Sequence, residues 1–269
     1  MDDKIGDIIV GQATLLPETE EITPDFPPAP GPDFDPERPR GILRGDLLAA
    51  RARILTLPPG ACPGNLALLE VVLPRECPFP GLFPETLFKD LGLNRLGSRL
   101  LERIPRAAGP GGASREFLAV SGAIDAASLD GAEALVGGLG LQALWQANSV
   151  EIVRVEEPEE KLGPGLDLDG TCHEVAIDLM PGRDDRFPLA QFRSFAADQG
   201  FEAIDGYAVD VDGRSFMPVR GPGAGLARLA GFTFVRRVDG IARMRPFGKP
   251  SAPRKRTPGD GGPAGDEAP

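Results

Sequence analysis

The stretch Tyr207-Ala208-Val209-Asp210-Val211-Asp212-Gly213-Arg214-Ser215-Phe216-Met217-Pro218-Val219 reads as a β-hairpin. Asp-Gly supplies the left-handed backbone of a tight turn, and both flanks carry strand-like residues. Upstream, Glu174 to Met180 alternates, with Val175, Ile177 and Leu179 on one face. Pro188 to Gln199 reads as a helix whose buried stripe is Leu189, Phe192, Phe195 and Ala196, stopped by Gly200. Downstream come a short helix, Leu226 to Ala230, and a strand, Phe232 to Val238. The order is strand, helix, strand, strand, helix, strand.

The same order can be read earlier. A strand is expected from Leu48 to Leu57 and a stronger one from Leu66 to Leu73. Pro84 opens a helix with Phe83, Leu87, Phe88 and Leu91 on one face. Leu96 to Ile104 and Phe117 to Val120 read as strands. Asp125 to Val136 and Leu141 to Ala147 read as helices, and Ser149 to Val155 as the closing strand. Two consecutive βαββαβ units predict an α+β chain of two tandem ferredoxin-like sandwiches. The expected layout is a Pro-rich disordered arm (1–44), a first domain (45–160), an acidic linker (161–171), a second domain (172–246) and a disordered tail (247–269). Pro17, Pro24, Pro27, Pro28, Pro30, Pro32, Pro36 and Pro39 set the character of the arm.

A net charge of −11 over 269 residues argues against general nucleic-acid binding. No run reaches the roughly 18 apolar residues of a membrane span. The first residues do not form the apolar core of a signal peptide, so a cytoplasmic protein is expected. Cys62, Cys77 and Cys172 are widely spaced, and His173 is the only histidine. This set is a poor match to a zinc centre, and reduced thiols are expected.

No pattern in the chain forms a convincing catalytic site, and neither a cofactor nor a metal is expected. Asp167, Asp169 and Gly170 resemble a piece of a calcium loop, but a Glu at the closing position is missing. Cys172 and His173 are strand neighbours and point to opposite faces, so they cannot readily share a proton. Gly221-Pro222-Gly223-Ala224-Gly225 lacks the lysine of a phosphate loop and reads as a turn. Phe232, Phe234 and Tyr207 suggest the aromatic platform of an RNA-recognition motif, but the surrounding charge is acidic. Arg254-Lys255-Arg256 is a basic triplet in the tail.

Several stretches, in order, resemble one family. They are Leu66-Ala67-Leu68-Leu69-Glu70-Val71-Val72-Leu73, Leu82-Phe83-Pro84-Glu85-Thr86-Leu87 and Leu93-Asn94-Arg95-Leu96-Gly97-Ser98-Arg99. Phe117 to Gly122, Ser149 to Glu157, Phe216 to Arg220 and Leu229 to Arg236 continue the series. Together they resemble the region ahead of the catalytic domain in large bacterial subtilisin-like (S8 family) serine proteases, over about residues 60–246. Such proteases occur near ATPases in phage-defence neighbourhoods. The Asp, His and Ser motifs of the triad are absent, so no catalytic residue carries over.

The resemblance implies a non-catalytic, prodomain-like module that meets a subtilisin-like protease domain in cis or in trans, with an ATPase as a further partner. It implies neither a nucleic-acid nor a membrane partner. Within the last strand, alternation places Phe232, Phe234 and Arg236 on one face and Thr233, Val235 and Arg237 on the other. The second set, with matching residues from the hairpin, is the expected docking face. The alternative is a ligand- or peptide-sensing module that uses the crevice between the two sandwiches.

Overall fold

A computed structural model describes residues 31–75, 83–109, 111–164, 166, 171–180, 187–204, 206–211 and 213–241. The described residues form an α+β protein with two antiparallel sheets and several helices. The first sheet contains β1 (Leu66–Pro74), β2 (Asn94–Arg103), β3 (Arg115–Asp125) and β4 (Ile152–Arg154), in the order β2-β3-β1-β4. Helices α1 (Glu37–Ile54), α2 (Glu85–Asp90), α3 (Ala132–Gly137) and α4 (Leu141–Ala147) belong to this half. The second sheet contains β5 (Cys172–Asp178), β6 (Glu202–Ala203), β7 (Val209–Val211), β8 (Arg214–Arg220) and β9 (Val235–Gly240). Its order is β6-β8-β5-β9, with β7 also paired to β8. Its helices are α5 (Phe187–Asp198) and α6 (Leu226–Ala230).

Helix α1 is the largest departure from the sequence reading. Residues 48–54 of the expected strand 48–57 are helical, and the helix begins inside the expected arm. Leu43, Leu47 and Ala50 are buried at helical spacing. Pro39 sits in the first turn, where a missing amide costs little. Asp46 explains the placement. Its Oδ2 accepts from Val153 N at 2.9 Å, and its Oδ1 accepts from Arg106 Nη2 at 2.5 Å. The outer edge of β4 is therefore covered by a helix and an aspartate.

The apolar run of β1 divides by pleat. Ala67, Leu69, Val71 and Leu73 join the core under α1 to α4. Leu66 and Leu68, with Ala123 of β3, join the core of the second half. There they share a cluster with Phe192 and Phe195 of α5 and with Phe232 and Phe234. Phe232 meets Phe192 edge-on at 5.4 Å and Phe195 at 5.3 Å. The second core thus reaches across both halves, on the opposite face of β1 from the first core.

The expected acidic linker contributes to this junction. Its first residue, Lys161, is buried, as is Glu156 just before it. Gly163 N donates to Val238 O at 2.8 Å, and Leu162 bridges Val238, which closes the outer edge of β9. The glycine run 221–225 does not cradle phosphate. A Cβ on Gly221 would lie 2.2 Å from the Phe201 ring, so the glycine allows the chain to pass over that side chain.

Candidate docking face and the charged junction

The last strand does not alternate as expected. β9 begins at Val235, and Phe232 and Phe234 lie in the turn before it, fully buried. Ile177 pairs with Val235 while Ala176 pairs with Arg237, which leaves Arg236 as an extra residue in a bulge. A bulge re-aims one side chain. Here Arg236 turns toward the first sheet, and its Nη1 donates to Ser121 Oγ at 2.6 Å.

The expected docking set therefore divides. Thr233 and Val235 are buried and offer no side chain to a partner. Thr233 Oγ1 donates instead to Ala61 O at 3.1 Å and Leu66 O at 3.2 Å, which ties the turn to the first half. Arg237 remains exposed and pairs with Asp239 at 2.7 Å.

Arg237 belongs to a wider surface. His173, Val175, Ile177, Ser215, Met217 and Val219 are buried, and the apolar members among them pack with α5 and α6. The opposite face carries a cross-strand row of Val209, Phe216, Ala176 and Arg237. Val209 is 57% exposed, Phe216 is half-buried and Arg237 is exposed. The next row holds Pro218, Glu174 and Asp239. Val211, 53% exposed, stands at the margin opposite Arg214. From the sequence, Arg237 is expected here by number and the hairpin only as a whole. The usable signal was the alternation of Val209, Val211, Phe216 and Pro218 around the turn.

A second group, missed from the sequence, lies between the halves. Glu70, in the middle of β1, receives Arg99 at 2.9 Å, Arg154 at 3.1 Å and, more distantly, Arg236 at 3.7 Å. Burial works to raise its carboxyl, but the hydrogen bond from Arg99 and the three guanidinium charges hold it below the ordinary value. Arg99 also pairs with Glu156, and Arg154 donates to both oxygens of Glu160.

Glu156 is pushed up to about 7 by burial first and the Glu70 charge second, against the pull of Arg99 and Lys161. Burial pushes Lys161 down to about 8, and its Nζ faces Phe232 O at 3.3 Å. A charged residue inside an apolar strand, Leu69-Glu70-Val71, was the available sequence signal for a buried ion pair.

Glu70, Glu156 and Glu160 lie close enough to hold a cation, but each already carries an arginine partner. These guanidinium charges do the work a metal would do there. The crevice expected between the halves is closed where Leu57, Leu68, Glu70, Lys161 and Thr233 meet. It holds about 10 Å³, roughly one water molecule.

The remaining candidates do not assemble. His173 is buried on the helix-covered side, while Cys172 is half-buried on the other face. Neither nitrogen of His173 has a hydrogen-bond partner among the described residues. Tyr207 is 73% exposed, apart from the buried Phe232 and Phe234, so these residues form no aromatic platform. Cys77, Asp167, Asp169, Gly170 and the triplet at 254–256 lie outside the described residues. Among the described residues, no helix is long and apolar enough to cross a membrane. No family model, curated protein or solved structure matches the chain.

Proposed function

We propose that the chain is a non-catalytic docking module, prodomain-like in its use of a sheet face, that accompanies a subtilisin-like serine protease. Each half is read as a ferredoxin-like sandwich. The two sheet orders, β2-β3-β1-β4 and β6-β8-β5-β9, support that reading. One observation carries the function. The second sheet is covered by helices on one side and presents Val209, Phe216, Pro218 and Arg237 on the other. An apolar row flanked by charges suits a protein partner better than a small molecule. A stable partner would bury roughly 800 Å² on this side.

The test is calorimetry against the catalytic domain of a subtilisin-like protease encoded in frame with the chain or beside it. Phe216→Glu and Arg237→Glu are expected to weaken binding by about tenfold or more while circular dichroism stays unchanged. Wild-type affinity in both variants would remove the docking face. No binding by the wild-type chain would remove the protease partner.

A further inference from the structure

The far end of the first sheet's outer face carries two arginines that form no ion pair among the described residues. Arg99, Leu101 and Arg103 alternate along β2 and project on one side. Arg103 stands directly opposite Arg115 of β3. Like charges opposed across an antiparallel pair are destabilising. Among the described residues, neither arginine has a carboxylate within ion-pair distance, whereas Arg99 and Arg154 beside them are paired.

The surrounding charge is mixed: Arg99, Arg154, Arg236 and Lys161 gather with Glu70, Glu156 and Glu160, and Glu102 and Glu151 stand near Arg103, so what sets Arg103 and Arg115 apart is the lack of a carboxylate at ion-pair distance. Burial, then the neighbouring Arg154 charge, lowers the Arg103 guanidinium, with Glu151 and Glu160 pulling the other way.

The place has a shape as well as a charge. Arg99, Leu101, Glu102, Arg103, Arg154 and Glu160 line a cleft of about 480 Å³, and Arg115 lines the one beside it with Arg75, Glu116 and Glu151. Volumes of this order hold small organic ligands. Val72, Phe117 and Ala119 form an apolar cluster on this part of the sheet, and Leu101 and Ile152 pack against it.

We propose that this cleft binds the oxyanion group, carboxylate or phosphate, of a small organic ligand, with Arg103 and Arg115 as the charge partners and Leu101 beneath the apolar body. A planar guanidinium suits either group. The site uses no part of the docking face on the second sheet, and it stands or falls separately from the protease reading.

The test is titration of the whole chain at low ionic strength with phenyl phosphate, benzoate and inorganic phosphate, with sodium chloride at matched ionic strength as the control. Saturable binding is expected for at least one of the two aromatic anions, tighter than for inorganic phosphate. The stronger of the two identifies the group recognised. Arg103→Ala should weaken that binding by about tenfold or more, the loss of one charge-assisted hydrogen bond. The same variant should melt no lower than wild type, because it loses no ion pair and relieves the repulsion with Arg115. Absence of saturable binding for all three anions, or equal affinity in Arg103→Ala, would overturn the site.

Discussion

The two sheets treat their second faces differently. The first sheet covers one with helices, and the second half of the chain and a paired charge network occupy much of the other, leaving only its far end open. The second sheet closes one and leaves Val209, Phe216 and Arg237 on an open face. The first sheet is therefore used up largely within the chain, and the second is available to a partner. A face that is half apolar and uncovered has free energy to gain from association, whereas a face already buried has little.

The largest expected effect tests whether the first sheet is closed by the second half. Phe232→Ala removes a fully buried ring from the shared core and should cost about 3–5 kcal/mol by chemical denaturation. Because Leu66, Leu68 and Ala123 lie in that same core, both halves should unfold in one transition. Two separate transitions in the wild type would show that the contact between halves adds little, and the contrast between the sheets would break.

The next effect concerns the charged junction. The carboxyl of Glu156 lies near 7 when folded, above the ordinary 4.5, so folding takes up a proton between these values. A raised carboxyl contributes stability below pH 4.5 that is lost as pH rises through 7. The difference is at most about 3 kcal/mol for this group. Glu156→Gln should flatten the stability profile between pH 5 and 7.5 in urea titrations. An unchanged slope would mean that the junction admits more water than its burial indicates. Lys161, near 8, acts in a separate and higher window, where stability rises as pH climbs from 8 toward its ordinary value.

The smallest effect sharpens a difference in how the two halves bury polar groups. Glu70 is buried with partners, whereas His173 is buried without a hydrogen bond to either nitrogen. His173→Leu should leave stability unchanged or raise it by about 1 kcal/mol, because an unsatisfied polar group is replaced by an apolar one. A loss of more than about 2 kcal/mol would reveal a partner that the geometry does not show.

Local pattern alone placed most elements of the fold. Leu66 to Leu73, Leu141 to Ala147, Pro188 to Gln199, the two flanks of Asp212-Gly213 and Leu226 to Ala230 carry their periodicity in neighbouring residues, and they form the expected elements. The sequence also determined that Cys172 and His173 face apart, because strand neighbours alternate.

Only tertiary structure decided the rest. Residues 48–54 are helical because Asp46 finds Val153 of β4, 107 residues away, and the apolar stripe of α1 finds the first core. Arg236 turns inward because a bulge opposite β5 inserts one residue, and that shift puts Val235 on the covered face and Arg237 on the open one, while Thr233 is drawn to the first half from the turn before the strand. Glu70, Arg99 and Arg154 are scattered in the chain and meet when the first sheet forms, and Arg236 joins them only when the two halves close. Periodicity describes which way a side chain leaves its own element. What that side chain then meets depends on contacts between distant elements, and those contacts determine which face is left open.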